Sequence, residues 1–230
     1  MTATLTTPES SASQTPRLRE PSPFNLPNFL TATRFLLAIV MFVLLAYQEW
    51  LLTGITFFIA SVTDWLDGLA ARRLGIVSSF GRSFDPLVDK LLICGAYICL
   101  LPYSESKTGV APWMVVTVVT RELLVTSLRG YIESLGIAFG ADRWGKIKMV
   151  LQCLALGMIL FVLFFRQQRI LIDHWVLLEL LRDLLIYAMV LATLFSGIQY
   201  LLTSYRLYCE YEAKLKQDWF PNRVRRIELR

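Results

Sequence analysis

The chain has 230 residues, of which 55% are hydrophobic and 18% charged, and its net charge at pH 7 is +5. A soluble domain carries about a quarter charged residues, so this composition excludes an ordinary soluble protein and indicates a membrane protein with several apolar helices. The single histidine excludes a multi-histidine metal site, and the four cysteines form no CxxC pair. Any bound metal is therefore expected to have oxygen ligands.

The apolar segments predict six membrane spans. Residues 1–23 precede them, are rich in Ser, Thr and Pro, and are interpreted as a disordered cytoplasmic tail. A helix of about 20 residues crosses the hydrocarbon core of a bilayer. The predicted spans are residues 28–47, 51–73, 82–103, 112–132, 147–166 and 184–204.

Two further segments complete the predicted domain organisation. Residues 167–183 mix apolar and charged residues, which predicts a helix lying in the membrane interface. Residues 24–205 are then one membrane domain, and residues 206–230 are a basic cytoplasmic tail.

Lysine and arginine residues predict the orientation. With the N-terminus inside, sixteen of them fall in cytoplasmic segments and three fall outside. Because cytoplasmic loops carry the excess of positive charge, we expect both termini to be cytoplasmic. The stretch from Asp64 to Asp89 then lies at the inner ends of the second and third spans.

That stretch, DWLDGLAARRLGIVSSFGRSFDPLVD, contains four aspartates. They are Asp64, Asp67, Asp85 and Asp89. Helical spacing places the first two on one face of the second helix with Gly68 and Arg72, and the last two on one face of the third helix with Gly81. We expect the two faces to meet in one pocket that is open to the cytoplasm.

Four carboxylates in such a pocket need counter-charge, since each costs about 2.5–3.5 kcal/mol at mid-membrane. Arg72, Arg82 and Lys90 offset part of this repulsion, but divalent cations with oxygen ligands do so better. The four aspartates therefore predict two Mg²⁺ or Mn²⁺ ions about 3.5–4 Å apart. The structural alternative is a network of ion pairs, with glycines that serve only helix packing.

The same stretch resembles the signature D-G-x2-A-R-x8-G-x3-D-x3-D of the CDP-alcohol phosphotransferases. The matching residues are Asp67, Gly68, Ala71, Arg72, Gly81, Asp85 and Asp89, with Asp64 as an additional leading aspartate. The likeness to the family fold covers residues 25–205. Four further segments resemble phosphatidylglycerophosphate synthases: NLPNFLTATR (25–34), DPLVDK (85–90), TRELLVTSLRGYIESLG (120–136) and WGKIKMVLQ (144–152).

The resemblance implies an integral membrane transferase of phospholipid biosynthesis, in a bacterial-type inner or plasma membrane, with its active site at the cytoplasmic face. The implied reaction transfers a phosphatidyl group from CDP-diacylglycerol to sn-glycerol 3-phosphate and releases CMP. Asp89 would be the general base on the acceptor hydroxyl. The implied partners are both substrates, membrane lipids and a second copy in a homodimer, and no nucleic acid is expected.

The resemblance also implies two sets of substrate residues. Those that line the CDP-diacylglycerol site would be Asn28, Thr31, Gly68, Arg72 and Ser78. Those that bind the acceptor phosphate would be Arg121, Arg129, Lys146 and Lys148. Simpler interpretations stay open: Ser78 caps a turn, Thr31 bonds its own helix, and the last three basic residues are ordinary cytoplasmic charge. Glu122 is interpreted as a partner of a neighbouring helix.

Three other functions remain as alternatives. A relative in the same family would use inositol phosphate, or phosphatidylglycerol in cardiolipin synthesis. A divalent-cation transporter would use the aspartates as its ion site, but it predicts a polar route to the outer side, and the carboxylates of both helices lie near the inner ends. A non-enzymatic scaffold predicts that Asp89→Asn has no effect.

Overall fold

The protein is described by a computed structural model whose backbone covers residues 26–74, 79–137, 143–169 and 175–227, and whose side chains cover residues 29–64, 86–137, 144–169 and 175–216. All regular structure in these ranges is helical, which confirms the predicted all-α class. The helices are α1 Leu26–Ala46, α2 Trp50–Leu74, α3 Ser79–Leu100, α4 Glu105–Thr108, α5 Pro112–Ser134, α6 Arg143–Gln167 and α7 Trp175–Ile227. The predicted N-terminal tail lies outside the described residues.

Each of the six predicted spans overlaps one long helix. Within the described residues, three stretches are long and apolar enough to cross a membrane: Phe29–Ala46, Trp144–Gln167 and Trp175–Lys216. A shorter apolar stretch, Trp50–Asp64, lies in α2. Helix α5 contains the charged residues Arg121, Glu122 and Arg129, which lower its mean hydropathy. The side chains of α2 beyond Asp64 and of α3 before Pro86 lie outside the described ones. The number of six spans and the orientation of the termini stay predictions.

Helix α7 differs from the predicted arrangement. It is continuous over 53 residues, or about 80 Å at 1.5 Å per residue, which is more than twice the hydrocarbon thickness of a bilayer. The prediction of a separate interfacial helix over residues 167–183 is wrong, because Trp175 begins the first turns of α7 itself. At its other end α7 continues through the predicted basic tail to Ile227.

The connection between α1 and α2 is short. Gln48 has a φ of 61°, and the Glu49 N–H donates to the Leu44 carbonyl at 3.0 Å, so the chain reverses within a few residues. The Leu45 carbonyl at the end of α1 accepts the Gln48 N–H at 3.1 Å and also the Tyr103 hydroxyl at 2.6 Å. This turn makes α1 and α2 antiparallel neighbours.

The apolar core lies in the middle of the bundle. Helix α1 packs on α2 and α3, and α7 packs on α5 and α6. Gly95 of α3 allows Phe42 of α1 to approach closely, since a Cβ at this position would lie 2.3 Å from Cζ of Phe42. Large apolar side chains such as Phe58 and Leu191 cover the outside of the bundle. A buried core surrounded by an apolar exterior is typical of helices packed in lipid.

Candidate active site

The four aspartates lie on two consecutive helices that both pack on α1. Asp64 and Asp67 belong to α2, and Asp85 and Asp89 belong to α3. Spacings of three and four residues put each pair on one face of its helix. Of the predicted metal ligands, the structure brings the side chains of Asp64 and Asp89 together, while the side chains of Asp67 and Asp85 lie outside the described ones.

Arg34 of α1 joins the two described carboxylates. Its Nη1 atom lies 2.9 Å from Oδ1 of Asp64 and 2.7 Å from Oδ1 of Asp89. The arginine is 1% exposed, whereas the side chains of the two aspartates are 36% and 29% exposed. A buried cation therefore lies beneath two carboxylates that remain accessible. We call these three residues the Arg34 cluster.

Arg34 is a counter-charge in addition to those that the sequence predicted, which were Arg72, Arg82 and Lys90. The Lys90 Nζ donates to the Pro86 carbonyl of its own helix at 3.3 Å, and the side chains of Arg72 and Arg82 lie outside the described ones, so their role stays a prediction. Arg34 belongs to the motif NLPNFLTATR, but no role was predicted for it. An arginine inside an apolar span is a functional candidate by default, and that signal was available in the sequence.

The predicted CDP-diacylglycerol residues are described only in part. Thr31 is 5% exposed and lies one turn before Arg34 in α1, so both residues share a helix face. Asn28 lies in α1, and Gly68 and Arg72 lie in α2, but their side chains are outside the described ones. Ser78 is outside the described backbone. The roles of these residues stay predictions.

A second polar group joins α5, α6 and α7. Glu122 of α5 accepts hydrogen bonds from Lys148 Nζ of α6 and from Arg121 Nη1, the latter at 3.1 Å. Arg121 Nη2 donates to the Ser196 hydroxyl of α7. These residues, Arg121, Glu122, Lys148 and Ser196, are called the Glu122 cluster. The expectation that Glu122 pairs with a neighbouring helix is confirmed by its contact with Lys148.

Two buried donors in and beside this cluster have no partner among the described residues. They are Nε of Arg121 and Nε2 of Gln152, which follows Lys148 by one helical turn. Gln152 is 2% exposed, and an unsatisfied buried donor costs about 1–3 kcal/mol. The cluster thus retains hydrogen-bonding capacity for an anion.

The other two residues predicted to bind the acceptor phosphate are Arg129 and Lys146. The Arg129 guanidinium carbon lies 6.0 Å from the ring centroid of Tyr200 in α7. Lys146 is exposed and only two positions from Lys148, so the two lysines point to different sides of α6. The structure therefore brings Arg121 and Lys148 together, and it does not bring Lys146 to them.

The two clusters lie close to each other. Cys153 of α6 is near enough to interact electrostatically with Asp64 and Asp89, and also with Lys148 of its own helix. An apolar cavity of about 720 Å³ opens beside them between α2 and α6, with Ser61 and Cys153 in its lining. One region of the bundle thus combines carboxylates, a cationic cluster and an apolar cavity.

The sequence profile of CDP-alcohol phosphatidyltransferases matches residues 24–198. This chain belongs to that family. The match runs from the start of α1 into α7, which confirms the predicted family and shows that the protein is an enzyme of this type.

Three relatives illustrate the similarity, and all are named CDP-diacylglycerol–glycerol-3-phosphate 3-phosphatidyltransferase. The Bacillus subtilis protein is 38% identical over 152 residues, which is 60% of this chain and 77% of the relative. The Haemophilus influenzae protein is 32% identical over 183 residues, which is 77% of this chain and 92% of the relative. The Mycoplasma pneumoniae protein is 28% identical over 217 residues, which is 83% of this chain and 91% of the relative.

The family generally depends on a divalent metal. Within the side chains that the structure describes, no three acidic, histidine or cysteine groups are close enough to hold an ion. That set includes Asp64 and Asp89 but neither Asp67 nor Asp85. The convergence of two accessible carboxylates, with two more aspartates one helical turn away, is a donor set that suits a hard divalent cation.

Proposed function

We propose that this protein transfers the phosphatidyl group of CDP-diacylglycerol to sn-glycerol 3-phosphate, and that the products are phosphatidylglycerol phosphate and CMP. The observation that carries the proposal is the convergence of Asp64 and Asp89 beside a cationic cluster in a chain of this family. The names of the relatives support glycerol 3-phosphate as the acceptor. The protein acts in the membrane, with its active site at the cytoplasmic face.

The lipid substrate fits the apolar surroundings of the site. The cavity beside α2 and α6 adjoins the aspartates through Ser61, which lies three residues before Asp64. An acyl chain in this cavity would leave the diphosphate of the same molecule near the carboxylates. Asn28, Thr31, Gly68, Arg72 and Ser78 are proposed to line the nucleotide end.

Asp64, Asp67, Asp85 and Asp89 are proposed to hold two Mg²⁺ or Mn²⁺ ions. Bound there, the ions would neutralise the diphosphate and the charge that develops on the departing CMP. The support for this role is the chemistry of the donors, since carboxylate oxygens are the ligands that both metals accept. Two of the four donors converge on one nitrogen of Arg34.

Asp89 is proposed as the general base. Its carboxylate accepts the proton of the C1 hydroxyl of glycerol 3-phosphate while that oxygen attacks the phosphorus that bears diacylglycerol. The bond from this phosphorus to the bridging oxygen breaks, and CMP departs with the electron pair. The side chain of Asp89 is 29% exposed, so a small polar acceptor can reach it.

Arg121 and Lys148 are proposed to bind the phosphate of the acceptor. Glu122 neutralises one of these two cations, and the remaining positive charge with the unpaired Nε of Arg121 suits a phosphate dianion. Arg129 and Lys146 would add attractive charge at the same end of the bundle. A homodimer stays a prediction from the family resemblance.

The test is CMP release by the purified full chain in detergent with CDP-diacylglycerol and one candidate alcohol at a time. We expect turnover with glycerol 3-phosphate and none with inositol phosphate or phosphatidylglycerol. If the protein uses inositol phosphate and does not use glycerol 3-phosphate, the assigned acceptor is wrong. Metal flux in proteoliposomes without any CMP release would support the transporter alternative instead.

A further inference from the structure

We infer that Arg34 is a positioning residue that acts as an internal counter-cation, holding Asp64 and Asp89 together by offsetting the same charge that a divalent ion offsets. The arginine and the ion then partly replace each other, so each stabilises the folded protein most when the other is absent. The inference rests on the proposed function in one respect, that a divalent ion binds at these aspartates.

The geometry of the contact supports this role. One nitrogen of Arg34 reaches carboxylates on two different helices, at 2.9 Å and 2.7 Å, and the arginine itself is 1% exposed. A single buried side chain of α1 thus connects α2 with α3. Without a positive charge at this point, Asp64 and Asp89 would face each other as like charges in a partly dehydrated environment.

The chemistry of the contact allows both cations to act on the same carboxylates. Both contacts from Arg34 Nη1 are to the Oδ1 atoms, and an ionised carboxylate has two oxygens with about four acceptor positions. Arginine binding therefore does not exclude metal binding. Counted over the three residues of the Arg34 cluster, one positive charge faces two negative charges, so an ion bound there adds counter-charge.

This arrangement predicts a coupling that ordinary packing does not produce. If Arg34 and the ion offset the same repulsion, removal of the arginine must increase the stabilisation that the ion provides, because an ion that binds only the folded state stabilises it according to its affinity. A residue that merely fills space would change stability equally with and without the ion.

The chain offers a matched control in Arg182. This arginine is also buried, at 4% exposure, and its Nε donates to Asp183 Oδ1 while its Nη1 donates to the Lys107 carbonyl, both at 2.8 Å. These contacts join the start of α7 to α4, away from the Arg34 cluster. Arg182→Gln therefore removes an equally buried charge with no link to the aspartates.

The experiment measures the unfolding temperature of the purified full chain by tryptophan fluorescence, in EDTA and in saturating Mg²⁺, without substrate. We expect Arg34→Gln to lower the unfolding temperature more in EDTA than in Mg²⁺. Mg²⁺ should therefore raise the unfolding temperature of Arg34→Gln by about 2–4 °C more than it raises that of the wild type. Arg182→Gln should lower the unfolding temperature by the same amount in EDTA and in Mg²⁺. Arg34→Lys, which keeps the charge but not the fork of donors, should lie between Arg34→Gln and the wild type.

The inference is wrong if Arg34→Gln lowers the unfolding temperature equally in EDTA and in Mg²⁺ while Mg²⁺ stabilises the wild type; the proposed metal site would be unaffected by that result. If Mg²⁺ changes the unfolding temperature of neither protein, the inference and the metal site are both wrong. If Arg34→Gln does not fold, the inference is tested with Arg34→Lys and with Arg34→Gln/Asp64→Asn. The double variant removes one of the repelling carboxylates, and it must regain stability in EDTA relative to Arg34→Gln.

Discussion

The Arg34 cluster and the Glu122 cluster are built with opposite charges. In the first, one buried cation holds two accessible carboxylates, and in the second, one buried carboxylate holds two cations. Counted over its own residues, the Arg34 cluster carries a net negative charge, which suits a metal ion, and the Glu122 cluster carries a net positive charge, which suits a phosphate. We therefore expect the two clusters to bind ligands of opposite charge side by side.

The sharpest test of the negative cluster is Asp89→Asn. If Asp89 accepts the acceptor's proton, we expect CMP release to fall by about 10²–10⁴-fold, while the variant still folds. Glu179→Gln is the matched control, because Glu179 is an accessible acid on α7 that pairs with Arg166 at 3.5 Å. Wild-type turnover in Asp89→Asn would show that Asp89 is not the general base.

The centre of the positive cluster is tested by Glu122→Gln. This change leaves Arg121 and Lys148 as uncompensated cations in a buried place, and we expect a loss of about 3 kcal/mol in the free energy of unfolding. Glu133→Gln, at an exposed position of the same helix, should change stability by less than about 0.5 kcal/mol. Equal stabilities of the two variants in chemical denaturation would show that the cluster is not held by its carboxylate.

The ligand assigned to the positive cluster is tested by Lys148→Gln. Loss of one charge-assisted hydrogen bond to the acceptor phosphate should raise the KM for glycerol 3-phosphate about tenfold. The KM for CDP-diacylglycerol should be unchanged, because that lipid is assigned to the other cluster. An effect on the lipid KM alone would reverse the assignment. Arg166→Gln, a cation at the opposite end of the bundle, serves as the control.

The smallest effect on stability is expected for an ion pair at the surface. Arg166 and Glu179 are about 40% exposed and 3.5 Å apart, and exposed pairs contribute about 0–1 kcal/mol. Their double-mutant cycle should therefore give a coupling energy below about 1 kcal/mol. A coupling as large as that between Glu122 and Lys148 would contradict the importance given to burial in the two clusters.

Local sequence pattern was sufficient for much of the fold. The six long apolar segments each became a helix, and the spacing of the aspartates put Asp64 with Asp67 and Asp85 with Asp89 on single helix faces, because helical periodicity depends only on near neighbours. The signature around Asp67 and Asp89 was also sufficient to predict the family. Segment 167–183 was misinterpreted, since its mixed composition suits both an interfacial helix and the first turns of a long one.

By itself, the sequence determined which residues carry charge within apolar helices, and on which side of each helix they lie. Only the tertiary structure decided which charges meet. Arg34 is 30 residues from Asp64 and 55 from Asp89, and Lys148 is 26 from Glu122. Such pairs depend on how neighbouring helices rotate and slide as their apolar faces pack, and no local periodicity encodes that choice.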